Sequence, residues 1–124
     1  RAVVPDERLN ELGPHLDSHG LFPERTNVQL VEVLDRSRAR IEIWERGAGY
    51  TLASVTSASA VAAVLMREGL VDDEVTIVMP GGELSVRKGP AGNLIQRGPA
   101  QRVCRVEVEL ADLEGVAIPG TPSQ

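Results

Sequence analysis

The groups with chemistry to offer gather in one stretch, ERGAGYTLASVTSASAV at residues 45–61. It opens on the charge pair Glu45 and Arg46. It closes on the hydroxyls Ser54, Thr56, Ser57 and Ser59, which lead into an apolar run. Such a hydroxyl cluster has two readings. One is a ligand-binding or reactive group; the other, its commonest use, is a helix N-cap that accepts from the first free N–H groups. We read Ser57 and Ser59 as capping residues and leave Ser54 and Thr56 open. Glu45 and Arg46 read either as a solvated pair at a strand end or as ligand contacts.

The other reactive types stand alone. His15 and His19 are four apart, a spacing that two metal ligands on a helix would share. The intervening LDS and the following Gly20 favour a loop, and no third ligand is evident. Cys104 shares its parity with Val106, Val108 and Leu110, which predicts a buried cysteine acting as a small hydrophobe. Gly81 and Gly82 read as a turn and not a phosphate loop, because no Lys-Ser/Thr follows. Neither a metal nor a cofactor is expected.

The elements that must position these groups follow from periodicity. Residues 1–27 form an irregular leading segment punctuated by Pro5, Gly13, Pro14, Gly20 and Pro23, with room for a short helix over 6–12 ended by Gly13. A period of two predicts strands over 28–33, 38–44, 75–79, 84–88, 94–96 and 101–110. DRS at 35–37 and PGGE at 80–83 supply hairpin turns. Residues 56–69 form a helix with a polar start and a Gly69 stop. Its middle, AVAAVLM at 60–66, is apolar on every face, so the helix is expected to be enclosed on all sides. Trp44 is expected in the core. The fold class is therefore α+β, a single antiparallel β-barrel-like domain over 28–116 wrapped around one central apolar helix. Residues 117–124 are a frayed tail.

Composition excludes several function classes. The chain has 124 residues, one domain's worth, with 13 Lys and Arg against 18 Asp and Glu, a net charge of -5. That balance argues against nucleic acid or an anionic membrane as partner. The aromatics are Phe22, Trp44 and Tyr50, too few for a base-stacking platform. There is no run of about 18 apolar residues to span a bilayer. One cysteine excludes an internal disulfide and fits a reducing, cytoplasmic setting. RAVVPDERLNE at the start has neither a signal core nor an initiating Met, as expected of a piece trimmed from something longer.

The 45–61 stretch resembles the signature of the second domain of diaminopimelate epimerases. Upstream, GPHLDSHGLFPERTNVQLVEV at 13–33 is similar to the family's Gly-Pro, Phe-Pro and Thr-Asn-Val markers. Downstream, PGGEL at 80–84 and RGPAQRV at 97–103 fall where the family has Pro-Gly-Gly and Gly-Pro-Ala. The resemblance implies one of two similar domains, each an antiparallel barrel around a helix, with substrate held between them. It implies a cofactor-independent inversion of an α-carbon, in which one cysteine removes the proton and a second returns one. Backbone amides at helix N-termini hold the substrate carboxylate, which suits the positive end of a helix.

Carried over by position, Asn27 matches a substrate-binding asparagine, and Glu45 and Arg46 match a pair engaging substrate groups. Val55 and Thr56 fall at the carboxylate site, and Ser54 occupies the catalytic cysteine position. Val55 and Ser57 stand where the family has glycines, Ser59 where it has a second cysteine, and Tyr50 where it has a glutamate. A serine hydroxyl is too weak an acid to rest as a base. Two-cysteine epimerisation is therefore expected to be lost, leaving a one-base isomerisation or elimination on a small amino acid or carboxylate. The alternative is a non-catalytic or repurposed binding or cyclase module. Either way, a lone half would expose a cleft face, so an N-terminal half-domain partner or a homo-oligomer is expected.

Overall fold

A computed structural model describes residues 6–107. In order, these form α1 (Asp6–Asp17), β1 (Val28–Asp35), β2 (Arg38–Glu45), β3 (Gly49–Thr51), α2 (Val55–Arg67), β4 (Glu74–Met79), β5 (Gly82–Lys88) and β6 (Leu94–Arg97). A single 3-10 turn, Pro90–Gly92, links β5 to β6. No helix among the described residues is long and apolar enough to cross a membrane.

One sheet holds all six strands in the order β1-β2-β4-β5-β6, with β3 on β2. The α+β class stands, and β1, β2, β4, β5 and β6 lie where their alternation put them, while the short β3 was not expected. Two details differ from the all-antiparallel barrel expected: the sheet is open between β1 and β6, and β2 pairs with β4 in parallel. A parallel pair needs a long crossover, usually helical, and α2 provides it. β2 is thereby bonded along one edge to β1. Its other edge is shared, with Ile43 to Glu45 on β3 and Arg38 to Arg40 on β4.

The core lies between one sheet face and α2. Ala39, Ile41 and Ile43 of β2, Val75, Ile77 and Met79 of β4, and Val86 of β5 meet Ala58, Val61, Ala62 and Leu65. Gly69, with φ +68, ends α2 as expected. The Gly69 N–H reaches the Met66 carbonyl and the Leu70 N–H the Leu65 carbonyl, the paired bonds of a left-handed helix stop. The helix is not enclosed on all sides by the described residues: Val55 and Val64 are about half exposed. The uncovered face lies between the two sheet edges, in grooves against Gln29 and Val31 on one side and Leu94 on the other.

α1 packs on the opposite sheet face, where Trp44 points, and runs four residues past the stop expected at Gly13. Pro14 deprives the helix of one backbone donor. Contact with Trp44 outweighs that local signal: a Cβ at Gly13 would sit 2.5 Å from the indole Cδ2. Trp44 itself is half-buried. The strand expected over 101–110 does not form across residues 101–107, and 108–110 lie outside the described residues. Cys104 is exposed, not buried, because parity buries a side chain only where a strand carries it against a core. The expected tail likewise lies outside the described residues.

The DRS turn forms as read, with the Ser37 N–H and hydroxyl both donating to Asp35 Oδ1 at 2.7 Å. The Ser37 hydroxyl, then its N–H, hold the Asp35 carboxyl below the usual 3.8 against a smaller opposing effect of burial, helped by the Arg38 N–H and charge. A carboxyl lowered on folding stabilises above its unfolded value of about 4 and loses that contribution as pH falls through its folded value. Asp35→Asn should thus lower the urea midpoint at pH 7, and the gap to wild type should close progressively below pH 3.8. Gly13→Ala gains about 1 kcal/mol of helix propensity but overpacks the indole by about 1–3 kcal/mol. A net loss is expected in urea unfolding, whereas Gly20→Ala, with open space around it, should leave the midpoint unchanged or raised.

Candidate functional site

The first turn of α2 is built by Ser54. Its backbone is extended (φ -148, ψ 121) and its Oγ accepts from the Ser57 N–H at 3.4 Å, which makes Ser54 the N-cap. The cap was expected one turn later. Ser57 is instead buried, its Oγ accepting from Gln29 Nε2 at 3.0 Å, and Ser59 donates to the Val55 carbonyl at 3.0 Å. Thr56 Oγ1 lies 3.3 Å from Ser54 Oγ. The Ser54 N–H points at the Met79 sulfur, 3.5 Å away. Among the described residues, the Val55 and Thr56 N–H groups find no partner, so two donors and the positive helix end face outward.

The approach to this turn is tightly routed. The Gly81 N–H donates to the Leu52 carbonyl at 2.7 Å, and a Cβ at Gly81 would meet that oxygen at 3.0 Å. The PGG turn is thus held against the segment that delivers Ser54. A cavity of about 180 Å³ opens there, lined by Ala53, Ser54, Val55, Met79, Gly81 and Leu84 among others.

Asn27, Glu45 and Arg46 meet at the neighbouring strand ends. Val28 pairs with Trp44, so Asn27 falls beside the residues that leave β2. Asn27 Oδ1 accepts from the Arg46 N–H at 2.9 Å, and Arg46 Nη1 donates to the Glu24 carbonyl at 2.8 Å. Glu45 is half-buried and makes no ion pair among the described residues. The Gln29–Ser57 bond ties this end of β1 to the first turn of α2, two residues from Asn27. Ser54, Thr56, Asn27 and Arg46 therefore share one end of the domain.

Sequence reasoning missed the residues that set this end. Asp17, 1% exposed, receives the Arg25 guanidinium on both oxygens, the Trp44 Nε1–H at 3.4 Å and the Thr26 N–H at 3.4 Å. Burial would raise the Asp17 carboxyl, but the bonds from Arg25 and Trp44, the Arg25 charge and the Thr26 N–H together hold it below its ordinary 3.8. Nothing local marks Asp17 in the sequence. Tyr50, standing where a glutamate was expected, donates its hydroxyl to buried Glu42 at 2.6 Å.

Chemically, the arrangement offers hydrogen-bond donors and an anion-favouring helix end. Among the described residues it offers no base beside Ser54, whose hydroxyl there touches only the Thr56 hydroxyl and the Ser57 N–H. His15 lies in the last turn of α1 and His19 beyond it, where its Nδ1 accepts from the Leu21 N–H at 3.2 Å. No metal-holding cluster occurs among the described residues.

Comparison with known proteins agrees with this geometry. The profile of the diaminopimelate epimerase family matches residues 2–103. The diaminopimelate epimerase of Azotobacter vinelandii is 45% identical over 108 residues, covering 86% of this chain and 39% of that protein. That of Stutzerimonas stutzeri is 45% identical over 103 residues, 82% of this chain and 37% of its own length. Diaminopimelate epimerase 2 of Nostoc sp. is 50% identical over 84 residues, 68% of this chain and 30% of that protein. The chain spans less than two-fifths of the length of these relatives. With the markers in order, and helix, turn and strand ends assembled around them, the chain belongs to the diaminopimelate epimerase family.

Proposed function

We propose that this chain is the carboxylate-binding half of an epimerase-like enzyme acting on a small amino acid, in a one-base reaction. The observation that carries the reading is the start of α2. Two N–H groups that find no partner among the described residues, at Val55 and Thr56, flank the Ser54 and Thr56 hydroxyls at the positive end of a 13-residue helix. A carboxylate is the ligand such an end favours. Asn27, Glu45 and Arg46 supply polar contacts for an amino group and a distal carboxylate. The base that removes the α-proton comes from a second domain or a second copy, since among the described residues Ser54 has no neighbour able to activate it. Serine at position 54, where the family has its cysteine, supports the loss of two-cysteine epimerisation. A cytoplasmic setting belongs to the same proposal.

A second reading has its own support. Ser54 already spends its hydroxyl as the N-cap acceptor, and Val55 puts a half-exposed branched side chain where a ligand would approach. Both fit a repurposed binding module.

Proton exchange separates them. The protein, alone and mixed with the N-terminal domain of a family member, would be incubated with diaminopimelate in deuterated water. Deuterium uptake at the α-carbon without inversion is the result expected of a one-base enzyme. No uptake by folded, paired protein sinks that reading and leaves the binding module. Ser54→Cys places a thiol at a helix N-terminus, where its pKa falls. In the paired assay it should raise exchange by about 100-fold or more, the usual worth of a positioned base.

A further inference from the structure

We propose that Asp17 is a positioning residue for the ligand-binding end of the domain, acting through Arg25 on Asn27 and Arg46. The inference rests on the proposed ligand face, but its structural half stands or falls separately.

The bonds form a closed circuit. Asp17, at the last residue of α1, takes the Arg25 guanidinium on both carboxylate oxygens and the N–H of Thr26 on Oδ1. Thr26 leads directly to Asn27, whose Oδ1 accepts from the Arg46 N–H. The Arg46 guanidinium returns to the Glu24 carbonyl, so both ends of Arg46 are fastened to residues 24–27. Trp44, two residues before Arg46, closes the loop by donating its indole N–H to Asp17 Oδ2. None of these bonds lies in a strand ladder or helix.

Arg25 also holds a backbone that its type disfavours. Its φ is 61, in the left-handed region where the Cβ of an L-residue crowds the backbone. Its own N–H bonds to the Phe22 carbonyl at 2.8 Å, and the clamp on Asp17 keeps the side chain in register with that turn. A buried ion pair is a poor source of stability, because desolvation cancels most of the attraction. Its value here is geometric: one carboxylate fixes where α1, the 18–27 segment and the end of β2 meet. Asp17 itself is buried, so its influence on this end passes through the residues it bonds.

Two variants test this. Asp17→Asn keeps the shape and removes the charge. Arg25→Gly suits the left-handed backbone and removes the clamp while Asp17 keeps its Trp44 and Thr26 bonds, so it remains informative should Asp17→Asn unfold. Amide hydrogen exchange is read at Arg46 and, as a reference for the fold, at Ile77 in the core. Binding of meso-diaminopimelate is read by titration. The expected result is exchange at Arg46 at least tenfold faster, exchange at Ile77 unchanged, and binding weakened about tenfold. Unchanged exchange at Arg46 in the folded variants overturns the positioning role. So does an equal acceleration at Ile77, which would make the cluster a general stabiliser. Faster exchange at Arg46 alone, in a protein whose wild type binds no diaminopimelate, upholds the positioning and overturns the ligand reading instead.

Discussion

Everything in this domain leans on β2. Ala39, Ile41 and Ile43 on one face are fully buried against α2, and each large aliphatic side chain so buried contributes about 1.5–3 kcal/mol. Trp44 on the other face receives Gly13 of α1. The strand's hydrogen bonds go to three partners, β1, β3 and β4. A strand with both faces and both edges engaged has little freedom to shift, since a slip of one residue would turn the isoleucines toward α1 and the tryptophan toward α2. Its register is therefore the reference from which the rest is measured.

The candidate site inherits that rigidity. Glu45 ends β2, and Arg46 follows it. The chain returns through β3 to Leu52, which Gly81 fastens to the PGG turn, and only then starts α2 at Val55. The site residues thus lie on the ends of rigid elements and not on long loops, an arrangement that fixes polar groups closely. The exception is Asn27, the last residue of the 10-residue connection between α1 and β1. The Asp17 circuit supplies there what a ladder supplies elsewhere.

Local signals were legible in the sequence, and tertiary ones were not. β1, β2, β4, β5 and β6, the Asp35 turn, the PGG turn and the Gly69 stop follow from period and turn chemistry, each written within a few residues, whereas the three-residue β3 left no such mark. The parallel pairing of β2 with β4 joins residues 38 apart and leaves no local mark. Gly13 and Pro14 read as a helix end because the indole that holds the helix to its course lies 31 residues away. The cap fell to Ser54, since four hydroxyls in six residues carry no information about which one turns extended. Cys104 shows the converse error: alternation predicts burial only if a core is there to receive it.

The same reasoning clarifies what Ser54 has become. At the start of α2, an oxygen must satisfy the early N–H groups, and a serine does so with a side chain short enough to fold back on Ser57. That bond, at 3.4 Å, is long, and hydrogen bonds to neutral groups contribute only about 0.5–1.5 kcal/mol. A ligand carboxylate brings charge to the same donors, and charge-assisted bonds are roughly twice as strong. The cap is therefore a weak occupant of an anion's place, and a bound carboxylate would add to it at Val55 and Thr56 without first displacing it. Binding and capping are compatible at this turn; proton abstraction by Ser54 is not, because neither role gives the hydroxyl a base. On the proposed function, the domain would keep the recognition half of the family's chemistry, and proton transfer would fall to another group.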